Sequence, residues 1–177
     1  MESSLDEFVH SLHQEKLNAM LERSKYARDK IVFILGILGF GALNFGTSEF
    51  NSTTILYVVP LVAIGYDLYI NASDEAIKRI GAFLRTTTYS SKCEHEYEEY
   101  TTEKRGKSAP MANVLFSLIG TFGALAIILL SQNSVPYYLF GWFLLWGVII
   151  GAVYVKHRRL IEVYDSNPLP PEGEIPG

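Results

Sequence analysis

The chain contains a single cysteine, and its long apolar runs contain no lysine or arginine. One cysteine among 177 residues, Cys93, excludes an internal disulfide and a multi-cysteine metal site. The net charge of −4 gives no general positive field for nucleic acid. Glycine-rich phosphate loops, nucleophile elbows and HExxH motifs are also missing. We therefore expect no cofactor, no metal and no nucleic-acid partner, and no motif predicts an enzyme.

Apolar sequence, by contrast, is abundant. Hydrophobic residues make up 49% of the chain and are concentrated in four runs. Each run approaches the length of about 17 to 25 residues that crosses a hydrocarbon layer of about 30 Å. A protein of this size has too little interior to bury four such helices in a soluble core. The predicted fold class is an all-α membrane protein with four transmembrane helices as two hairpins, an N-terminal amphipathic helix and a helical cytoplasmic middle loop.

The organisation of the chain follows from where these runs begin and end. The acidic residues before the first run, Asp29 among them, argue against a cleaved signal peptide. Four of the 7 prolines lie in the final stretch DSNPLPPEGEIPG, which predicts an unstructured tail. We predict an amphipathic helix over 1–30 and a first hairpin over 31–70, with spans at about 31–48 and 53–70. A loop over 71–110 is followed by a second hairpin over 111–155, with spans at about 111–130 and 136–155. A basic stop and the tail occupy 156–177.

The basic residues fall on one side of the predicted membrane. All 15 lysines and arginines lie in the two terminal segments and the middle loop, whereas the linkers 46–54 and 131–135 contain none. By the positive-inside rule, both termini and the loop face the cytoplasm. The expected location is the plasma membrane, with a bacterial inner membrane as the default. Four bases at the span ends are predicted to anchor them at the inner face: Lys30, Lys156, Arg158 and Arg159.

Small residues at four-residue spacing indicate faces on which helices can approach closely. Span three carries Gly120 and Ala124 at this interval, and span four carries Gly147 and Gly151. Such pairs serve packing within one bundle as well as association between chains. Both interpretations therefore stay open, the second being a homo-oligomer.

Three polar residues are predicted to be embedded in the spans: Asn44, Asp67 and Asn113. Asp67 lies about one turn from the predicted inner end of span two, so we expect it to reach headgroup water. Its predicted neighbours are Lys30 or Arg28. Anchoring or helix pairing is the first interpretation, and a role in proton or ion transfer is the alternative. No span has an acid at its centre, which argues against a proton-coupled carrier.

The loop after span two contains SDEAIKRIGAFLR, in which Ser73 is expected to cap an amphipathic helix over about 73–86. We expect this helix to lie on the membrane or against the bundle, with docking of a partner protein as the alternative. The apolar stripe and two later tyrosines form the predicted partner surface: Ile77, Ile80, Phe83, Leu84, Tyr97 and Tyr100.

Two classes of function follow from these features. The first is a small polytopic, non-catalytic scaffold, sensor or effector subunit in the lipid bilayer, acting as a homo-oligomer or through a membrane or cytoplasmic protein partner. The second is a channel or small-solute or ion transporter subunit. Its water-filled path would be lined by polar residues of spans one to three: Asn44, Asp67, Asn113, Ser117 and Thr121. A lipid-modifying enzyme ranks third.

Overall fold

Four long α-helices make up most of the described chain. The computed structural model describes residues 2–43, 52–86, 92, 96, 97, 99, 100, 108–131 and 137–166. Within these ranges the all-helical fold class predicted from the sequence is confirmed. The helices are α1 (Glu2–Leu43), α2 (Val59–Thr86), α3 (Ser108–Ser131) and α4 (Tyr137–Ser166), and a 3-10 helix (Ser52–Val58) leads into α2.

Three helical segments of the described chain are long and apolar enough to cross a membrane: Thr54–Arg85, Met111–Ser131 and Tyr137–Tyr164. They coincide with the predicted spans two, three and four, and those in α2 and α4 extend further than predicted. α1 is not among them. A stretch long enough to span a membrane that ends at Leu43 would include the charged residues Arg28, Asp29 and Lys30. Residues 44–48 of the predicted first span lie outside the described residues, so that span stays a prediction.

α1 and α2 run in opposite directions where they touch. α1 packs along α2 through the ion pairs Arg23–Asp74 and Lys30–Asp67. From the first pair to the second, the residue number increases on α1 and decreases on α2, so the two helices are antiparallel. We call the end of the bundle that carries the N-terminus of α1 and the C-terminus of α4 the basal end. The linkers that would complete the two predicted hairpins, 44–51 and 132–136, lie outside the described residues.

The apolar core lies away from the basal end. It combines buried side chains from all four helices and the 3-10 helix: Ile34, Leu56, Val59, Ala63, Ala124, Ile128, Leu139 and Phe143. The outer faces of α3 and α4 are also apolar but exposed, as at Leu130 and Val148. Apolar surface of this extent fits contact with lipid, since soluble monomers rarely expose large contiguous apolar patches.

A single repeat determines which face of α2 is buried. Buried residues recur at intervals of four and three, with one interval of seven: Ala63, Asp67, Ile70, Asp74, Ile77 and Leu84. This spacing keeps one helix face against its neighbours. The repeat continues past Ser73, whose hydroxyl donates to the Tyr69 carbonyl (3.1 Å) inside α2. The cap predicted at Ser73 and the separate helix over about 73–86 are therefore wrong, because that apolar stripe is part of α2.

α1 is also longer than the predicted N-terminal helix. It is continuous over Glu2–Leu43, so the predicted helix over 1–30 runs without a break into the start of the predicted first span. Near the basal end, Phe8 packs edge-on against Phe83 of α2, with ring centroids 6.2 Å apart. Other large apolar side chains in this half are exposed: Leu17, Met20 and Leu21. The amphipathic character predicted for this segment is therefore not confirmed.

Candidate functional site

A buried polar cluster joins α1, α2 and α3 on the basal side of the apolar core. It consists of Lys30, Asp67, Asn113 and Ser117, and we call it the junction cluster. Lys30 and Asp67 are only 1% and 3% exposed. The Lys30 Nζ atom lies 2.7 Å from Asp67 Oδ1. Of the two neighbours that the sequence predicts for Asp67, the structure therefore pairs it with Lys30 rather than Arg28.

Every polar side-chain atom of this ion pair is hydrogen-bonded. The Lys30 ammonium donates to Asp67 Oδ1 (2.7 Å), Asn113 Oδ1 (2.8 Å) and the Asn113 carbonyl (2.8 Å), which uses all of its N–H groups. Asp67 Oδ1 also accepts from Asn113 Nδ2 (2.8 Å), and Asp67 Oδ2 accepts from Ser117 Oγ (2.6 Å). Such bonding is what a buried charge pair requires, because desolvation otherwise outweighs its attraction.

Helix spacing and one glycine bring these groups together. Asn113 and Ser117 are four residues apart on α3 and so share a face, as Lys30 and Ile34 do on α1. A Cβ placed at Gly120 would lie 2.8 Å from Ile34 Cγ2, closer than two such carbons approach each other. Because Gly120 has no side chain, α3 can lie close enough to α1 for Asn113 to reach Lys30.

The structure corrects two predictions at this cluster. The sequence predicts that Asp67 reaches headgroup water and that Lys30 anchors α1 at the inner face. Both side chains instead point into the bundle, where Asn113 and Ser117 supply the hydrogen bonds that water would otherwise supply. The helix-pairing interpretation of Asp67 agrees with this geometry, whereas the anchoring role of Lys30 does not.

A line of polar residues continues from the junction cluster along α3. The Thr121 hydroxyl, one turn beyond Ser117, is buried and has no hydrogen-bond partner among the described residues. Of the residues predicted to line a polar path, Asp67, Asn113 and Ser117 are in contact and Thr121 follows on the same face. Asn44 lies outside the described residues.

A second charged cluster lies closer to the basal end. Asp74 follows Asp67 by seven residues on the buried face of α2 and is 4% exposed. Its Oδ1 atom lies 3.1 Å from Arg23 Nη1 of α1, and its Oδ2 atom lies 3.3 Å from His157 Nε2 of α4. We call Arg23, Asp74 and His157 the basal cluster. It connects α2 to α1 and α4, whereas the junction cluster connects α2 to α1 and α3.

The basic run at the end of the predicted span four divides between two faces of α4. His157 turns into the bundle, although the sequence gives it no separate role. A signal for this was present, since Phe143, Ile150 and His157 follow one another at seven-residue intervals on the buried face. The other three bases are exposed and remain candidates for anchors at the membrane face: Lys156, Arg158 and Arg159.

The predicted partner surface is partly covered. Ile77, Ile80 and Leu84 are at most 4% exposed, because they belong to the buried face of α2. The structure therefore excludes these three as an exposed docking surface. Phe83 is partly exposed but contacts Phe8. The two later tyrosines are exposed and stay candidates for a partner contact: Tyr97 and Tyr100.

The small residues predicted for helix packing differ in what surrounds them. Gly120 and Ala124 face the interior, and Ala124 is fully buried. A Cβ placed at Gly147 would lie 3.3 Å from Phe122 Cζ of α3, whereas one at Gly151 would meet nothing within 4 Å. Within the described part of the chain, three of the four positions thus lie at contacts between helices, and Gly151 faces open space.

A small cavity lies between the junction and basal clusters. Its volume is about 170 Å³, and all four helices contribute to its wall. Its polar lining includes one or two side chains from each helix: Arg23, Asn71, Asp74, Asn113, Tyr154 and His157. No group of three or more His, Cys, Asp or Glu side chains within the described ranges is arranged to hold a metal ion.

Comparison of the chain with protein-family models, with curated proteins and with solved structures finds no match. The function is therefore inferred from the two clusters, the cavity and the helices that carry them.

Proposed function

We propose that this chain is a non-catalytic integral membrane subunit, a scaffold, sensor or effector, that acts as a homo-oligomer or with a membrane or cytoplasmic protein partner. The observation that carries the proposal is the saturated junction cluster. The Lys30 ammonium and both Asp67 oxygens are bonded inside the protein. A pair bonded this completely within the protein has the contacts expected of a structural link between helices. Its role is to hold three helices in one arrangement.

The continuity of the helices supports a role in transmission. α1, α2 and α4 pass the level of the junction cluster without a break and reach the basal end. There Asp74 connects α2 to α1 and α4 through Arg23 and His157. A force applied at the basal end is therefore carried into the spans by packed, continuous helices, which suits a sensor or an effector.

We further propose that the basal end faces the cytoplasm and that the protein lies in the plasma membrane, with a bacterial inner membrane as the default. The distribution of the 15 lysines and arginines supports this orientation. Cys93, the only cysteine, belongs to the loop between the second and third spans and reports on it directly. A membrane-impermeant maleimide should label Cys93 in inverted vesicles but not in intact cells, and the opposite result contradicts the orientation.

A channel or transporter subunit is the second candidate, and the Thr121 hydroxyl favours it. This group is buried without a partner among the described residues and extends the line formed by Asn113 and Ser117. In a conducting state, hydroxyl and amide groups along one helix face would contact water or ions.

Flux measurements separate the two candidates. Under our proposal, the purified protein gives no ion-selective flux above that of protein-free liposomes. Isolation from native membranes in mild detergent then yields a discrete homo-oligomer or a complex with a second protein. Selective flux that falls in Thr121→Val, which removes the hydroxyl at nearly constant shape, would overturn the proposal in favour of a channel. Ser131→Ala, at the end of α3, is the matched control and should leave any flux unchanged.

A further inference from the structure

The cavity between the two clusters presents hydrogen-bond donors that the protein itself does not use. The side chains of Asn71 and Tyr154 form no hydrogen bond with any described residue. Arg23 makes one ion pair through Nη1, and its guanidinium has five N–H groups in all. Asn113, in contrast, has both of its amide atoms bonded to Lys30 and Asp67. The free groups of the wall are thus mostly donors.

The charges around the cavity favour an acceptor-rich ligand. Asp74 is already paired with Arg23 and His157. Asp67, behind the wall, is neutralised by Lys30. Each carboxylate is thus paired with a basic side chain, although Asp74 Oδ1 accepts no hydrogen bond from the described residues, and guanidinium, amide and phenol donors remain. A carboxylate or phosphate group can accept several of these at once, and hydrogen bonds to a charged group are the stronger kind.

The size of the cavity limits the ligand. A volume of about 170 Å³ corresponds to roughly five or six water molecules at about 30 Å³ each. This accommodates an acetate or a phosphate with some water and is too small for a nucleotide. Ala27, Ile70 and Val114 form the apolar part of the wall and reduce competition from solvent.

We propose that this cavity binds a small oxyanion, a carboxylate or phosphate group, held by Arg23, Asn71 and Tyr154. These residues belong to α1, α2 and α4, so the anion strengthens the same connection between helices that the basal cluster provides. The group can come from a free anion in solution or from an acidic lipid headgroup, since both present the same oxygens. The binding does not depend on whether the protein is a sensor or a channel.

Titration of the full chain in phosphatidylcholine nanodiscs tests the site. Inorganic phosphate and acetate are added separately, and isothermal titration calorimetry measures the affinity. Saturable binding is expected, weakened by about tenfold or more in Tyr154→Phe, which removes one donor to a charged group. Asn71→Leu should weaken it similarly. An unchanged unfolding temperature without ligand verifies that Tyr154→Phe is folded.

Two control variants remove a phenol and a guanidinium group outside the cavity, and the first is matched to Tyr154→Phe. Tyr138→Phe alters an exposed tyrosine at the opposite end of α4, and Arg28→Gln alters an exposed arginine on α1. Both should bind phosphate as the wild type does. If neither anion binds saturably, or if Tyr154→Phe binds as tightly as the wild type, the proposal is overturned.

Acidic lipid distinguishes the two sources of the anion. Phosphatidylglycerol is added to the nanodiscs, and the phosphate titration is repeated. A lower apparent affinity for phosphate that persists at high salt, where the surface charge of the bilayer is screened, identifies the headgroup as the occupant. An unchanged affinity, with the Tyr154→Phe effect preserved, identifies a free anion as the ligand.

Discussion

The junction cluster and the basal cluster place the same group, a buried aspartate on one face of α2, in two different settings. Asp67 lies 2.7 Å from the Lys30 ammonium, and the short side chains of Asn113 and Ser117 complete its bonding. Asp74 has longer contacts, 3.1 Å to Arg23 and 3.3 Å to His157, and borders a cavity. A buried carboxylate is thus closely hydrogen-bonded at the junction cluster, whereas at the basal cluster it has longer contacts and an Oδ1 atom that accepts no hydrogen bond from the described residues.

Removing one half of the junction pair should have the largest effect. Lys30→Met leaves the Asp67 carboxylate buried without its cation, which is expected to lower the free energy of unfolding by about 3–5 kcal/mol. The double variant Lys30→Met/Asp67→Leu leaves no unpaired charge and should recover most of this loss. Equilibrium unfolding by SDS in mixed micelles measures both. A single variant as stable as the wild type would show that the pair is not buried in the folded protein.

The close approach of α3 to α1 is the second target, because it delivers Asn113 to the junction cluster. Gly120→Ala places a methyl group 2.8 Å from Ile34 Cγ2, so Ile34 or α3 must shift. We expect a loss of about 1–3 kcal/mol, the usual cost of overpacking. Gly123→Ala on the same helix meets nothing within 4 Å and is the control. It should be neutral or stabilising by up to about 1 kcal/mol, from helix propensity. Equal effects of the two substitutions would refute the close contact.

The basal cluster should tolerate the loss of its charge better than the junction cluster does. Asp74→Asn keeps the shape and a carbonyl acceptor for Arg23, so we expect a loss of about 1–2 kcal/mol. The control is Asp29→Asn in the more exposed pair with Arg28, where the change should stay within about 0.5 kcal/mol. The same unfolding titration applies. If Asp74→Asn costs as much as Lys30→Met, the two clusters are equally rigid and the contrast between them is lost.

Much of the fold could be predicted because the composition of one continuous stretch of sequence determines whether a helix needs a lipid environment. Runs without charge indicate helices that need lipid, and three of the predicted spans coincide with apolar helical segments. The sequence also predicts Lys30 as one of two possible neighbours of Asp67, since both residues lie near the same predicted end of adjacent spans. The sequence predicts a new helix at Ser73, whereas the repeat of Asp67, Ile70 and Asp74 continues unchanged through that position.

The rest of the site depends on how the helices are rotated about their axes. Asn113 and Ser117 meet Asp67 only because α3 turns that face toward α2, and local sequence does not specify such a rotation. His157 illustrates the same difficulty. It stands among three other bases, and only the seven-residue repeat with Ile150 distinguishes the side chain that turns inward. No local sequence pattern predicts a cavity whose wall is formed by four helices.

The smallest effect should come from the exposed part of that basic run, next to the histidine that enters the basal cluster. Arg158 Nε lies 3.1 Å from Glu162 Oε1 on the same face of α4, and both side chains are more than half exposed. Such i,i+4 pairs contribute about 0.3–0.5 kcal/mol, since water and salt screen them. Arg158→Gln should therefore change the free energy of unfolding by no more than about 0.5 kcal/mol, whereas His157→Gln, one residue away, should cost more because it alters a buried contact with Asp74. A larger loss for Arg158→Gln in nanodiscs that contain acidic lipid, but not in phosphatidylcholine alone, would assign that residue to headgroup binding instead of to the bundle.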